Sequence, residues 1–136
     1  MKNGAVETSA VVHVAAFRAA LRAFLRESEV AARSAGLTPQ RYLLLLMIKG
    51  APDGSEQTTV SELVERLGLA QSTVTELVNR AEDIGLIERE QSDSDGRVAH
   101  LRLTRDGERR LATSFTRLDI ERDRLRRAFA ELDDEF

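Results

Sequence analysis

The sequence predicts a mainly α-helical chain with one small β-hairpin: a winged helix-turn-helix set between further helices. Three observations carry this. Apolar residues recur at helical spacing on both sides of the middle of the chain. Two short amphipathic segments, 60–67 and 71–84, are separated by Gly68. After Gly85 the apolar period changes from 3.6 to 2.

The first helix is expected over about 10–35. Phe17, Leu21, Phe24 and Leu25 make one apolar face, and Arg18, Arg22 and Arg26, four apart, make a stripe on another, which reads as a solvated face. Gly36 ends the helix. Thr38 and Pro39 start the next, because the Thr hydroxyl accepts free backbone N–H groups and Pro loses nothing at the first helical position. Leu43 to Ile48 is apolar on all sides, so burial is expected all round. Residues 50–54 form a loop rich in Gly and Pro.

Thr59-Val60-Ser61-Glu62 has the form of a capping box, and Leu63, Val64 and Leu67 follow as one buried face. Gly68 makes the turn and Leu69 plugs it. The second helix of the unit turns Val74, Leu77 and Val78 inward. Residues 86–90 and 98–103 are expected strands, joined by a polar tip, 91–97, containing Gly96. Thr104 caps a helix with Leu111 and Phe115, and Asp119 can cap a last helix with Leu125, Phe129 and Leu132. These apolar positions also fit one continuous heptad pattern. That pattern would place Arg122 in the seam, so two helices broken near Asp119 are preferred.

Composition narrows the function. The chain has 136 residues, a net charge of −3, 42% apolar residues and 4% aromatic residues, which fits one globular subunit with an aliphatic core. The absence of cysteine removes disulfides, thiolate metal sites and thiol redox sensing. The N-terminal residues lack the apolar stretch of a secretion signal, and the longest apolar run, 42–48, is short for a spanning helix. A cytoplasmic location without membrane partners is therefore expected. No metal and no cofactor is expected: residues 93–96 resemble part of a calcium loop, but Gln91 and Arg102 occupy its first and last ligand positions. His13 and His100 lie in different elements, Tyr42 reads as a core residue, and no catalytic triad or phosphate-binding glycine loop is suggested, so an enzyme is not expected.

A short helix bracing a second one at a steep angle can place the second in the major groove of duplex DNA. The outward residues of that helix are Gln71, Ser72, Thr73, Thr75, Glu76, Asn79 and Arg80. Gln71 and Asn79 suit adenine, Thr73 and Thr75 a thymine methyl or a phosphate, and Arg80 a phosphate or a structural role. At the hairpin tip Arg97 can enter the minor groove, oriented by Asp95. Against this, residues 55–105 hold six Arg and ten acids, a net −4, whereas a DNA-binding surface should be locally positive. Glu62, Glu82 and Asp83 are expected to lie away from the grooves, and Glu76 is not. The alternative is a winged-helix protein-interaction module without DNA binding.

The order Gly36-Leu37-Thr38-Pro39-Gln40, then 60–67, then 71–80, then Gly85-Leu86-Ile87-Glu88-Arg89, then Asp95-Gly96-Arg97 and Leu101-Arg102-Leu103-Thr104 resembles the MarR family of bacterial transcriptional regulators over about 10–135. The resemblance implies a homodimer on a pseudo-palindromic operator, with most members acting as repressors. It implies dimerisation helices at 10–50 and 105–136 and a DNA-binding part at 55–104, with Phe17, Leu21, Phe115, Leu125 and Phe129 in the dimer interface. It makes Arg97 the wing arginine and Asp95 its acidic partner. It also implies release by a small aromatic or phenolic effector. Departures from the family pattern are Ala70 in place of a Ser cap, Glu76 where many members have Arg, Ser94 in the wing in place of a frequent Arg, and an early end after Leu132.

Overall fold

The computed structural model describes residues 5–91 and 98–135, with side chains as far as Leu132. Its element order is α1 (Thr8–Ser34), α2 (Pro39–Lys49), α3 (Val60–Leu67), α4 (Gln71–Asp83), β1 (Ile87–Gln91), β2 (Ala99–Leu103), α5 (Arg105–Thr116) and α6 (Asp119–Glu135). Helices and strands fall where the spacing places them, and the local signals act as expected. The Thr38, Thr59 and Thr104 hydroxyls accept from the backbone N–H groups of Arg41, Glu62 and Gly107, satisfying donors that have no partner inside their helices. The Thr59 hydroxyl also donates to Glu62 Oε1 at 3.1 Å, so the box closes through side chains. Gly68 and Gly85 take φ of +67° and +79°, conformations a Cβ would strain, and each reverses the chain after a helix.

The core lies where α2, α3, α4 and the hairpin meet. Leu44, Leu45, Ile48, Leu63, Val74, Val78, Leu86, Ile87 and Leu101 are fully or almost fully buried there. β1 and β2 pair antiparallel, with Ile87 opposite Leu103 and Arg89 opposite Leu101. Period-2 alternation turns Leu101 and Leu103 inward. A third backbone segment joins this hairpin. Thr58 N–H donates to the Leu101 carbonyl at 3.1 Å, and Leu101 N–H donates back at 2.7 Å. Thr58 is buried, and its pairing links the segment before α3 directly to the wing.

Two expectations are corrected. Leu43 is 39% exposed, because α2 is covered on the sides facing α3, α4 and the hairpin while Leu43 looks outward beside α1. The chain does break before α6, but Asp119 stands inside the first turn and its carboxylate is taken by Arg122. The break follows from Leu118 turning inward to become buried, while Arg122 stacks over the Phe115 ring at 3.8 Å and donates to the Phe115 carbonyl at 2.8 Å. Separately, α1 is long and apolar enough to cross a membrane by length and mean hydropathy, although its longest unbroken apolar run is short. Arg18 and Arg22 sit near its middle, where a bilayer would hold hydrocarbon, and the helix packs along α6 and α5.

Two polar ties join the segments of the helical part to one another and, through Glu56, to the winged helix. Lys49, at the end of α2, donates to Glu56 and Glu108 at 2.9 Å each, and these contacts hold its ammonium above the usual lysine range. Arg110 of α5 donates to the Ala35 and Gly36 carbonyls at 3.3 Å, closing the end of α1, and its guanidinium also pairs with Asp106 at 3.1 Å.

Candidate nucleic-acid interface

Helix α4 has two unlike faces. Val74, Val78 and Ala81 are buried on one side. On the other, Gln71, Ser72, Thr75, Glu76, Asn79 and Arg80 line one shallow surface hollow, with Thr73 exposed beside them. The structure therefore gathers the outward residues of α4 onto one accessible surface. Ala70 gives the helix start no side-chain cap, so the first-turn N–H groups have none of the Ser, Thr, Asp or Asn partners usual there.

The charges on this surface are already partly engaged. Glu76 Oε1 meets Arg80 at 2.7 Å, one helical turn away, with both side chains about two-thirds exposed. A pair so solvated is weak, so Arg80 is tethered and not locked. Glu82 Oε1 accepts from Arg89 Nε at 2.9 Å, and Glu62 is held at the start of α3, so both point to structural partners. On the hairpin, Arg102 lies between Glu88 at 3.5 Å and Glu90 at 2.9 Å. Much of the local acidity is thus paired inside the winged helix, and Glu76 is the acid among the residues that line the α4 hollow.

Arg89 was not singled out by sequence reasoning. It lies on the same side of β1 as Ile87, opposite buried Leu101, and reaches α4 with both ends of its guanidinium: Nε to Glu82, and Nη2 to Asn79 Oδ1 at 2.5 Å. Period-2 alternation from Ile87 would have placed it inward, but its partners come from another element.

Asp95 and Arg97, the expected wing contacts, lie outside the described residues. The five expected dimer positions fall on α1, α5 and α6. Phe17 and Phe129 meet within the chain, ring centroids 6.1 Å apart, and Phe115 is covered on one face by Arg122. Leu21 and Leu125 are half-buried, while Phe115 and Phe129 stay exposed. Nearby, Phe24, Leu25, Ser28, Tyr42, Leu43 and Leu46 border an apolar hollow of about 260 Å³ between α1 and α2. Burial pushes the Tyr42 phenol up, opposed by the charge of Arg122. Among the described residues, no three His, Asp or Glu side chains converge as a metal site.

The family model described as MarR family matches residues 35–98, the span from the end of α1 to the start of β2. The chain carries a MarR-family segment and the MarR winged-helix fold. Similar solved structures include the YusO protein of Bacillus subtilis, 27% identical with a TM-score of 0.58, covering 73% of this chain and 67% of that one. They also include a MarR mutant from E. coli complexed with operator DNA, 18% identical with a TM-score of 0.63, covering 85% of this chain and 78% of that one. A third is an S. aureus MepR mutant bound to an oligodeoxyribonucleotide, 20% identical with a TM-score of 0.65, covering 80% and 78%. No curated protein sequence matches the chain. In this MarR frame α4 is the second helix of the helix-turn-helix and the β1–β2 hairpin is the wing.

Proposed function

We propose that this chain is a sequence-specific DNA-binding transcriptional regulator acting as a homodimer on a pseudo-palindromic operator, as a repressor. The observation that carries the reading is the division of α4: an apolar face sealed in the core and a polar face of Gln71, Ser72, Thr73, Thr75, Glu76, Asn79 and Arg80 left open beside the wing. That is the geometry a helix needs to enter a major groove while its own domain holds it rigid. The DNA-bound MarR and MepR structures of similar fold support it. Residues 55–104 form the DNA-binding part, with Asp95 and Arg97 at the minor groove, and 10–50 and 105–136 dimerise.

The dimer reading rests on apolar surface. Val11, Val12, Leu25, Ile120 and Phe129 are all more than half exposed on α1 and α6, more than scattered single residues would give. A small aromatic or phenolic effector suits the hollow beside Tyr42, whose mostly apolar lining also carries Ser28 and Glu29 as polar groups. The protein acts without enzymatic chemistry, in the cytoplasm.

Binding to A·T-rich palindromic duplexes across a salt series tests the DNA reading. Log affinity should fall steeply as log salt rises, and Arg97→Ala should weaken binding. No binding at low salt would favour the protein-interaction alternative, which the residual acidity around Glu76 supports.

A further inference from the structure

Resting on the proposed contact between α4 and the major groove, we propose that Arg89 is a positioning residue that fixes Asn79 as a hydrogen-bond donor. Asn79 thereby selects a base presenting acceptors, guanine or thymine, and disfavours adenine.

The argument starts from what a guanidinium can do. Arginine has five donors and no acceptor. Whatever group of Asn79 faces Arg89 must therefore be the amide oxygen, and the orientation of the amide follows from chemistry even where oxygen and nitrogen look alike. The bond from Arg89 Nη2 to Asn79 Oδ1 is short, 2.5 Å, and the same planar group donates from Nε to Glu82 at 2.9 Å. Asn79 and Glu82 are three residues apart on one side of α4, so one rigid fork engages both. The approach direction of Arg89 is set by the hairpin, where its backbone pairs with that of buried Leu101. Only a third of the Arg89 side chain is exposed, so its position is constrained on several sides.

A free asparagine amide can accept from adenine N6 and donate to adenine N7 at once, the pairing expected of Asn79 from the sequence. With one lone pair of its oxygen taken and the amide plane fixed by Arg89, Asn79 turns its Nδ2 hydrogens toward the hollow. Guanine presents two acceptors, N7 and O6, and thymine presents O4. Adenine presents a single acceptor, N7, beside an amino donor, so a donating Asn79 makes one bond there and loses the second. The wing thus sets the specificity of the recognition helix through a contact that touches no DNA.

The test is selection of duplexes from a randomised library at low salt by the full-length protein and its variants. The wild type should enrich guanine or thymine at one position of each half-site, and Asn79→Ala should flatten that position alone. Arg89→Lys keeps a charge toward Glu82 but loses the fork, so preference there should move toward adenine by about tenfold, the ordinary weight of one bidentate base contact. Glu82→Gln, which loosens the same guanidinium without altering Arg89 or Asn79, should move it the same way by less, and serves if Arg89→Lys does not fold. Enrichment of adenine by the wild type at the Asn79-dependent position overturns the inference. So does a uniform loss of affinity in the Arg89 and Glu82 variants with base preference unchanged, the mark of a purely structural tie. Failure of the wild type to enrich any duplex overturns the DNA reading itself, and this inference falls with it.

Discussion

The winged helix and the α1–α6 pair are built from similar aliphatic residues, yet they are finished to different degrees. In the winged helix Leu63, Val74, Val78 and Leu101 are fully buried within the chain. On α1 and α6, Ile120 is 70% exposed and Phe129 57%, even though Phe129 already meets Phe17. A helix needs about a third of its circumference covered. α3 and α4 obtain that cover from α2 and from the hairpin, whereas α1 and α6 cover one another along only one side. One region is complete within a single chain and the other leaves apolar surface exposed.

The largest effect should come from the closed region. Leu63→Ala removes a fully buried side chain and should lower stability by about 2–5 kcal/mol in urea unfolding, while Phe129→Ala should cost an isolated subunit much less. Equal losses would erase the distinction. Ile120→Asp should then weaken self-association by about tenfold or more, read by sedimentation, with the winged-helix fold intact by circular dichroism. An unchanged mass distribution would remove Ile120 from the interface.

Smaller effects sharpen the comparison within the winged helix. At Gly68 a Cβ meets open space, so Gly68→Ala should cost only the left-handed backbone, about 1–2 kcal/mol. Thr59→Ala should cost about 1 kcal/mol through loss of the cap. The smallest effect is a pH dependence within α5. The Arg109 and Arg110 guanidiniums hold the Asp106 carboxyl below its ordinary 3.8. A depressed carboxyl contributes stability above its unfolded value and loses it as pH falls through the lower folded one. Asp106→Asn should therefore be slightly less stable than the wild type near neutrality, with a shallower acid titration and a difference that fades as pH falls below about 4.

Much of the outward α4 surface was legible in the sequence because helix faces follow from spacing: once Val74 and Val78 point inward, Gln71, Thr75 and Asn79 must point out. The engagement of those side chains was not legible. Asn79 read as free for adenine until Arg89, ten residues on, was found on its oxygen. Leu43 read as core because an apolar run does not state how many neighbours surround it.

By itself the sequence determined every element that depends on near neighbours in the chain. The caps at Thr38, Thr59 and Thr104, the reversals at Gly68 and Gly85, and the change of period after Gly85 are all settled within a few residues, where backbone sterics and local hydrogen bonds act. Tertiary structure decided the joins: Thr58 on Leu101, Arg110 on the end of α1, Arg122 on Phe115, and Arg89 between Glu82 and Asn79. Each joins groups from different elements or across a break between them. Their meeting depends on how the elements pack, which no spacing along the chain records.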